Sequence, residues 1–192
     1  LEVLKANLSR LLTLRGLRRL LDEFVRLSDP IRAEANRRLL DELLPEKVPV
    51  DLLHAVLRLL LEERVSIRNL PLILEAVAEA RHHGSPEAIC EHVRQRLGFQ
   101  IVAELKRADG SIPLIQLAPE WEKTFATYQI EGDRGQRDIA LPPELFARLA
   151  NGLTEKVNRT AESGIYPALV TSVARRPSVL TSRRSVVTSN GW

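Results

Sequence analysis

Three histidines and a cysteine stand close together in the sequence and are residue types that bind zinc: His82, His83, Cys90 and His92. A structural zinc site needs four ligands, and these come mostly as cysteine and histidine pairs at characteristic short spacings. Cys90 is the single cysteine of the chain, and the histidine spacing does not match such pairs. The sequence therefore predicts no metal site, and we interpret the segment as a polar corner between two helices with a buried thiol.

Cys90 could instead serve as a nucleophile, which would require a neighbouring base and an electropositive setting. His92 lies two positions further on, and side chains two residues apart on a helix point in different directions. Cys90 shares a helical stripe with Val93 and Leu97, so core packing is the better interpretation. The sequence also lacks a glycine-rich phosphate loop and a G-x-S-x-G motif. We therefore predict no catalytic residue, no cofactor and no enzymatic activity.

Aromatic residues recur at helical spacing in the second half of the chain, at Trp121, Phe125 and Tyr128. Such a stripe could form an aromatic groove for a peptide. Aromatic stripes at this spacing are more often the buried face of a helix. We interpret this one as the face that anchors a short helix on a sheet.

The positive charge of the chain is concentrated at its end. The chain has 28 Lys and Arg against 25 Asp and Glu, a net charge of +3, and residues 163–192 hold four arginines and no acid. Residues 1–162 therefore carry 24 bases and 25 acids, which argues against a nucleic-acid surface on the body of the protein. A soluble helical adaptor that binds nucleic acid through the basic tail is kept as an alternative function, although a solvated tail is the better interpretation of the arginines.

The first half of the chain predicts helices. Apolar residues recur every three or four positions through residues 1–98, which is typical of amphipathic helices. Thr13, Asp29 and Ser85 are predicted helix caps, because Ser, Thr and Asp side chains accept hydrogen bonds from the free N–H groups of a first turn. The leucine-rich helix that opens at Pro49 is predicted to be central, since its apolar surface is wider than one stripe.

The second half predicts a mixture of strands and helices. Phe99–Leu105 and Ile112–Leu117 have strand-like character, and Asp109-Gly110 between them is a strong hairpin signal. The other predicted elements are a loop over 131–138, helices that open at Pro119 and at Pro142-Pro143, and a strand over 166–171. The predicted fold class is therefore α+β, with a helical subdomain of five to six helices followed by a small α/β subdomain with a β-hairpin and a short sheet.

These patterns predict three regions: a helical subdomain at 1–98, an α/β subdomain at 99–173, and a disordered Ser/Thr/Arg-rich tail at 174–192. No apolar run approaches the roughly 20 residues that cross a bilayer, so a soluble piece is expected. The chain contains no methionine and shows no signal peptide at its visible start. It is therefore expected to be part of a longer protein.

One stretch resembles a known family. It runs through a leucine-rich helix ending at Leu44-Pro45, the segments Leu59–Glu63 and Val65–Leu70, and Ile73–Glu75. This order and spacing resembles the cytosolic region of the export-gate protein of bacterial type III secretion, the FlhA family of flagella and its injectisome relatives. The resemblance covers about residues 1–173 and favours the flagellar branch.

The resemblance implies a membrane-spanning half that precedes a cytosolic half of four subdomains. Residues 1–98 would be the third subdomain and residues 99–173 most of the fourth, with Leu1–Leu11 leading in from the subdomain before. The cytosolic halves of family members form a nine-membered ring at the inner membrane that receives export chaperone–substrate complexes. The implied partners are other gate subunits, those complexes and the export ATPase complex, with no nucleic acid, and the membrane is reached only through the absent half.

The resemblance also implies a ring interface in the helical subdomain, for which Arg68, Asn69 and Glu75 are the candidate residues. An alternative stays open, in which Arg68 and Glu75 are simply solvated and Asn69 caps the helix that starts at Leu70. The sequence departs from the family after Ala168–Val170, where the Arg175–Ser178 segment interrupts the expected helix and closing strand. The last sheet is therefore expected to keep an open edge.

Overall fold

The computed structural model describes residues 8–27, 29–131, 137–165 and 167–171. The chain divides into two units, Leu1–Glu104 and Leu105–Trp192. The helices of the first unit are α1 (Leu8–Leu11), α2 (Leu14–Val25), α3 (Pro30–Leu43), α4 (Val50–Glu62), α5 (Leu70–Glu79), α6 (Pro86–Arg96) and α7 (Gly98–Leu105), of which α7 ends at the unit boundary. The predicted tail at 174–192 lies outside the described residues.

The three predicted caps of this unit are confirmed. Thr13 Oγ1 accepts a hydrogen bond from the Gly16 amide at 3.0 Å and opens α2. Asp29 Oδ1 accepts from the amides of Ile31 and Arg32 at the start of α3. Ser85 Oγ accepts from the Ala88 amide and opens α6. Each cap satisfies N–H groups that have no partner inside their own helix, so these helix starts are set by local side chains.

Helix α4 lies at the centre of the first unit, as predicted. It contacts α1, α2 and α6, and its side chains Leu53, Val56, Leu57 and Leu60 are fully buried. His54 and Arg58, one turn apart on α4, tie α1 to it from the side. Nε2 of His54 donates to the Leu12 carbonyl at 2.6 Å, and Nε of Arg58 donates to the Ser9 carbonyl at 3.1 Å. The first unit therefore has a core of its own that packs around α4.

The predicted strand at Phe99–Leu105 is wrong, because these residues form helix α7. The Ile101 amide donates to the Leu97 carbonyl at 3.0 Å, so helical hydrogen bonding continues almost directly from α6. Helical bonds satisfy backbone groups locally and need no neighbouring strand. The polar side chain of Gln100 is buried while Phe99 is exposed, which is the reverse of what the alternation predicts. The unit boundary accordingly lies at 104/105, six residues after the predicted 98/99.

The hairpin predicted around Asp109-Gly110 is also wrong, although the turn at its centre is present. The turn itself forms: the Gly110 amide donates to the Arg107 carbonyl, and Gly110 adopts the left-handed φ of 81° that glycine tolerates. The Ser111 hydroxyl and amide donate to the Asp109 carboxylate and hold its pKa below the ordinary value. However, helix α7 precedes the turn, so two strands are not available to pair across it.

The second unit has two short strand pairs and two helices. Its elements are β1 (Leu114–Gln116), α8 (Pro119–Thr127), β2 (Gln129–Glu131), β3 (Arg137–Ile139), α9 (Pro143–Glu162) and β4 (Ala168–Val170). Strands β1 and β4 are parallel, with Ile115 opposite Leu169, and β2 and β3 are antiparallel, with Ile130 opposite Asp138. The loop predicted over 131–138 is wrong at residues 131, 137 and 138, which belong to this strand pair, because cross-strand pairing outweighs the loop-like composition. Residues 132–136 of that prediction lie outside the described residues.

The aromatic stripe of α8 is the buried face that the sequence predicts. Phe125 is fully buried and Trp121 and Tyr128 are half-buried, with the ring centroids of Trp121 and Phe125 6.0 Å apart. Phe125 and Leu149 form the centre of a second core, separate from that of the first unit. The α+β fold class is confirmed, with a helical unit followed by a smaller mixed unit. In the described part of the chain, no helix combines the length and hydrophobicity needed to cross a membrane.

Candidate functional site

The candidate residues lie on the short connection between α4 and α5. Helix α4 ends in a pair of backbone hydrogen bonds, from the Arg64 amide to the Leu61 carbonyl and from the Val65 amide to the Leu60 carbonyl. This is the Schellman arrangement, and Arg64 holds the left-handed position at φ 59°. The bonds turn the chain sharply, so that Val65 is buried and Arg68 reaches the surface.

Arg68 and Asn69 lie together, and the structure argues against a capping role for Asn69. The Arg68 side chain is 69% exposed and its Nη2 lies 3.4 Å from Glu104 Oε1 on α7. Asn69 occupies the N-cap position of α5 and is half-buried, yet its side chain makes no hydrogen bond to the helix. The expected cap is missing because the backbone of Asn69, at φ −88° and ψ 61°, departs from the extended conformation usual for a cap.

Glu75, the third candidate, is exposed on α5, one helical turn beyond Pro71. Residues four apart on a helix are neighbours on one face, so Pro71 and Glu75 share a face of α5. Arg68 and Asn69 therefore lie at the start of this helix and Glu75 lies along it. The three residues are close enough in the chain to belong to one contact surface, although Glu75 does not line the groove described next.

Arg68 and Asn69 line an open groove of about 570 Å³ on the first unit, here called the α2–α7 groove. Its walls come from the end of α2 and the residues after it, the first turns of α3, the start of α5, and α7. Two guanidinium groups and no carboxylate line it. Its lining residues are Phe24, Leu27, Arg32, Asn36, Arg68, Asn69, Pro71, Phe99, Gln100 and Ala103.

Two side-chain amides hold the groove walls in place. Asn36 Nδ2 donates to the Phe24 carbonyl at 2.7 Å and so joins α3 to the end of α2. Gln100 Nε2 donates to the Ser66 carbonyl at 2.9 Å and so joins α7 to the segment that carries Arg68. One bond satisfies a carbonyl in the last turn of α2 and the other a carbonyl in the connection between α4 and α5, and each carbonyl would otherwise need another partner. The groove is thus built from long-range polar contacts between helices.

The sequence predicts Arg68 and Asn69 as candidate residues but gives no signal for most of the groove around them. The alternation predicts Phe99 on a strand, and no motif marks Leu27 or Arg32. Gln100 offered a signal, because a polar residue inside the apolar run Phe99–Ala103 needs a buried partner if it faces inward. That partner, the carbonyl of Ser66, is 34 residues away in the sequence.

The histidine cluster forms the polar corner that the sequence predicts. Nε2 of His92 lies 2.9 Å from Glu79 Oε2, and Nε of Arg96 lies 3.3 Å from the same oxygen. The His83 and His92 rings meet edge to face with centroids 5.8 Å apart, while Cys90 is buried. Among the described residues, no group of three His, Cys, Asp or Glu side chains is placed to hold a metal ion. The Glu79 carboxylate contacts the side chains of His92 and Arg96 and so joins α5 to α6.

Comparison with known proteins gives a consistent result. The model of the FHIPEP family matches residues 1–189. The flagellar biosynthesis protein FlhA of Caulobacter vibrioides is 37% identical over 179 residues, which is 93% of this chain and 24% of that protein. The chain therefore spans about a quarter of the length of this curated relative.

Solved structures show the same fold at lower identity. The cryo-EM structure of nonameric EPEC SctV-C superposes with a TM-score of 0.74 at 20% identity, covering 94% of this chain and 52% of that one. The structure of the Chlamydia pneumoniae CdsV and CdsO protein complex gives a TM-score of 0.68 at 19% identity, covering 96% and 52%.

Proposed function

This chain belongs to the FHIPEP family, and from that premise we propose that it is a cytosolic portion of the export gate of a bacterial flagellar or type III secretion system. In this role the chain contributes to a ring of gate subunits and helps to dock chaperone–substrate complexes for protein secretion and flagellum assembly. The FlhA relative at 37% identity supports the flagellar branch. Because the chain matches about a quarter of that relative, its part in the ring and in docking is proposed here.

The observation that carries the ring proposal is the exposed side chain of Arg68, next to half-buried Asn69, on the connection between α4 and α5. Arg68 has a single weak contact to Glu104 at 3.4 Å and is mostly exposed, so most of its hydrogen-bond donors are available to a neighbour. Glu75 offers a carboxylate on the adjoining helix. A surface with both charges suits a head-to-tail contact, in which Arg68 of one subunit faces an acid of the next. The nonameric relative with the same fold supports this arrangement.

The proposed role is binding and not catalysis. The apparatus would provide other gate subunits, chaperone–substrate complexes and the export ATPase complex as partners, at the cytoplasmic face of the inner membrane. The relative CdsV has been solved in complex with CdsO, which supports a protein partner for this fold. Nothing in the described residues favours the nucleic-acid alternative, whose four arginines lie outside them.

Sedimentation of the chain over a range of concentrations tests the ring interface. We expect concentration-dependent association that Arg68→Glu weakens, because charge reversal places like charges opposite each other. A second variant, Glu75→Arg, should weaken association alone and partly restore it when combined with Arg68→Glu if the two residues face each other across the contact. Arg81→Glu is the matched control, since Arg81 is also an exposed arginine but follows α5 and lies outside the proposed surface.

Two outcomes would overturn this proposal. One is association by Arg68→Glu at the wild-type strength. The other is a wild-type chain that stays monomeric at its highest soluble concentration.

A further inference from the structure

We propose that a basic surface on α1 and the first turns of α2 binds a short acidic segment of a partner protein. The inference goes beyond the proposed function, because this surface shares no residue with the proposed ring contact at Arg68, Asn69 and Glu75. The surface, here called the arginine patch, consists of Arg10, Leu11, Leu14, Arg15, Arg18 and Arg19.

The arginine patch has a local excess of positive charge. Residues 8–19 contain four arginines and no Asp or Glu, although residues 1–162 as a whole carry 24 bases and 25 acids. All four arginines are exposed, and none of them forms an ion pair with another described residue. By contrast, Arg32 and Arg68 each contact a carboxylate, at 3.5 and 3.4 Å. The guanidinium donors of the patch are therefore available to an external anion.

The charges of α2 are also arranged against the preference of the helix itself. The N-terminal end of a helix carries a partial positive charge, so acids stabilise it and cations destabilise it. Helix α2 has Arg15 in its first turn and Asp22 and Glu23 in its last, which is the reverse of that preference. Helices α6 and α9 follow the preference, with a glutamate in the first turn and arginine in the last. Helix stability therefore does not account for the arginines of α2, whereas binding to an anion would.

Two leucines add an apolar component to the arginine patch. Leu11 is 57% exposed and Leu14 is 47% exposed, and they lie on either side of the break between α1 and α2. This surface is anchored to the unit, because His54 of α4 hydrogen-bonds the Leu12 carbonyl at 2.6 Å. Arginine is enriched at protein interfaces, and apolar groups beside it add contact area that a purely charged surface lacks.

The acids at the end of α2 limit the extent of the anionic partner. Asp22 lies four residues after Arg18 and Glu23 lies four residues after Arg19, so each acid shares a helical face with an arginine. A flat anionic membrane or a long nucleic acid that covered the patch would also meet these two carboxylates. A short acidic segment can contact the first two turns of α2 and avoid them. Its carboxylates match the planar donor pattern of guanidinium groups.

The apolar stripe of α7 on a second copy is a poor match for the arginine patch. One acid lies beside this stripe, Glu104, and it already contacts Arg68 at 3.4 Å. Residues 98–107 carry one acid and two bases, so the segment has the same sign of charge as the patch. The exposed residues of the stripe are Phe99, Val102 and Leu105.

Other acids on a second copy lack either an apolar neighbour or an excess of negative charge. The leucines beside the exposed acids at 41–46 are buried or half-buried, and one of these acids, Glu42, pairs with Lys47 at 2.9 Å. The acids of α2 itself, Asp22 and Glu23, have arginines on both sides in the sequence. A foreign acidic segment therefore fits the patch better than a second copy.

Fluorescence anisotropy with two labelled peptides tests the proposal on the full chain. The first is a short peptide with leucines and four glutamates, and the second has glutamines in place of the glutamates. We expect the glutamate peptide to bind roughly tenfold more tightly, because four exposed ion pairs together give about this factor. The difference should shrink at high salt.

Variants of the patch then locate the binding. Arg15→Glu should weaken the glutamate peptide about threefold and leave the glutamine peptide unchanged. The same variant should melt at a higher temperature than wild type, because it places an acid in the first turn of α2 and removes repulsion from Arg18 and Arg19. Weaker binding by a more stable variant excludes unfolding as the cause. Leu11→Ser should weaken both peptides, and Arg81→Glu, at an exposed position outside the patch, should weaken neither.

Other results would reject the proposal. Equal binding of the two peptides, or the same loss in Arg81→Glu as in Arg15→Glu, would remove the acidic segment. Binding to vesicles of equal parts phosphatidylcholine and phosphatidylglycerol that Arg15→Glu abolishes, without binding of the glutamate peptide, would assign the patch to a membrane surface. Self-association that Arg15→Glu weakens and Arg68→Glu leaves unchanged would assign it to a second copy. Association through Arg68 should persist in Arg15→Glu, so failure of this inference is distinguishable from failure of the ring proposal.

Discussion

Arg64 adopts a left-handed backbone conformation at a helix end where glycine is the usual residue. Its φ of 59° closes α4, and Gly164 does the same for α9 at φ 68° with the same pair of backbone bonds. A side chain in this conformation costs about 1–2 kcal/mol, because its Cβ crowds the following carbonyl. The two helix ends thus use one geometry, with the favourable residue at one and an unfavourable residue at the other.

Arg64→Gly is therefore expected to stabilise the helical unit. The gain should be about 0.5–1 kcal/mol in the free energy of unfolding, after the extra flexibility of glycine in the unfolded chain is subtracted. Arg64→Ala is the control, since it removes the exposed side chain and keeps the Cβ. Urea unfolding followed by circular dichroism measures both. Equal stability of the Gly and Ala variants would show that the left-handed conformation carries no cost here.

The ion pair between Arg94 and Glu63 is well shielded from water. Its atoms Nη1 and Oε2 lie 2.8 Å apart, and the side chains are 18% and 13% exposed. Arg94→Met would take the cation away from a largely buried carboxylate, so we expect a loss of about 2 kcal/mol, somewhat less than for a fully buried pair. Arg38→Met is the matched control, because the Arg38–Glu34 pair at 3.0 Å is largely exposed and should contribute under 1 kcal/mol. Similar losses in the two variants would contradict the argument.

At the scale of elements, the sequence predicts where three helices begin, but it does not predict that residues 98–105 form helix α7. Thr13, Asp29 and Ser85 bond amides two or three residues further on, so the information is local. The seven-residue pattern of Phe99–Leu105 fits a short strand as well as a helix. The helix is favoured because the Gln100 side chain bonds the Ser66 carbonyl, which only the tertiary fold brings near. The same limit applies to the groove, whose walls come from four segments spread over residues 24–103.

Gln100→Leu tests whether this bond docks α7. The variant leaves the Ser66 carbonyl without its donor in a place where Gln100 is only 4% exposed, so a loss of about 1–2 kcal/mol is expected. Hydrogen exchange should show faster opening of amides in residues 98–105 than in α6. Gln95→Leu is the control, because Gln95 is exposed at the end of α6. Unchanged exchange in α7 would mean that apolar contacts, and not the amide, hold it.

At the scale of the whole molecule, the chain has two separate cores. The first draws on residues 12–101 and the second on residues 117–169. The change of hydrophobic pattern at Gly98 predicts a division of the chain. It does not place the boundary, because the strand-like residues that follow form helix α7, which packs against the first core. Ile101 packs against that core and Gln100 bonds within it.

Two fragments test where the helical unit ends. A fragment of residues 1–104 should fold cooperatively and unfold with the stability of the helical unit in the whole chain, since its core is complete. A fragment of residues 1–98 lacks the Gln100 bond and the Ile101 contact, and should be less stable by about 2–3 kcal/mol. Thermal unfolding followed by circular dichroism compares them. Equal stability of the two fragments would return the boundary to 98/99, whereas an unfolded 1–104 fragment would show that the helical unit depends on the rest of the chain.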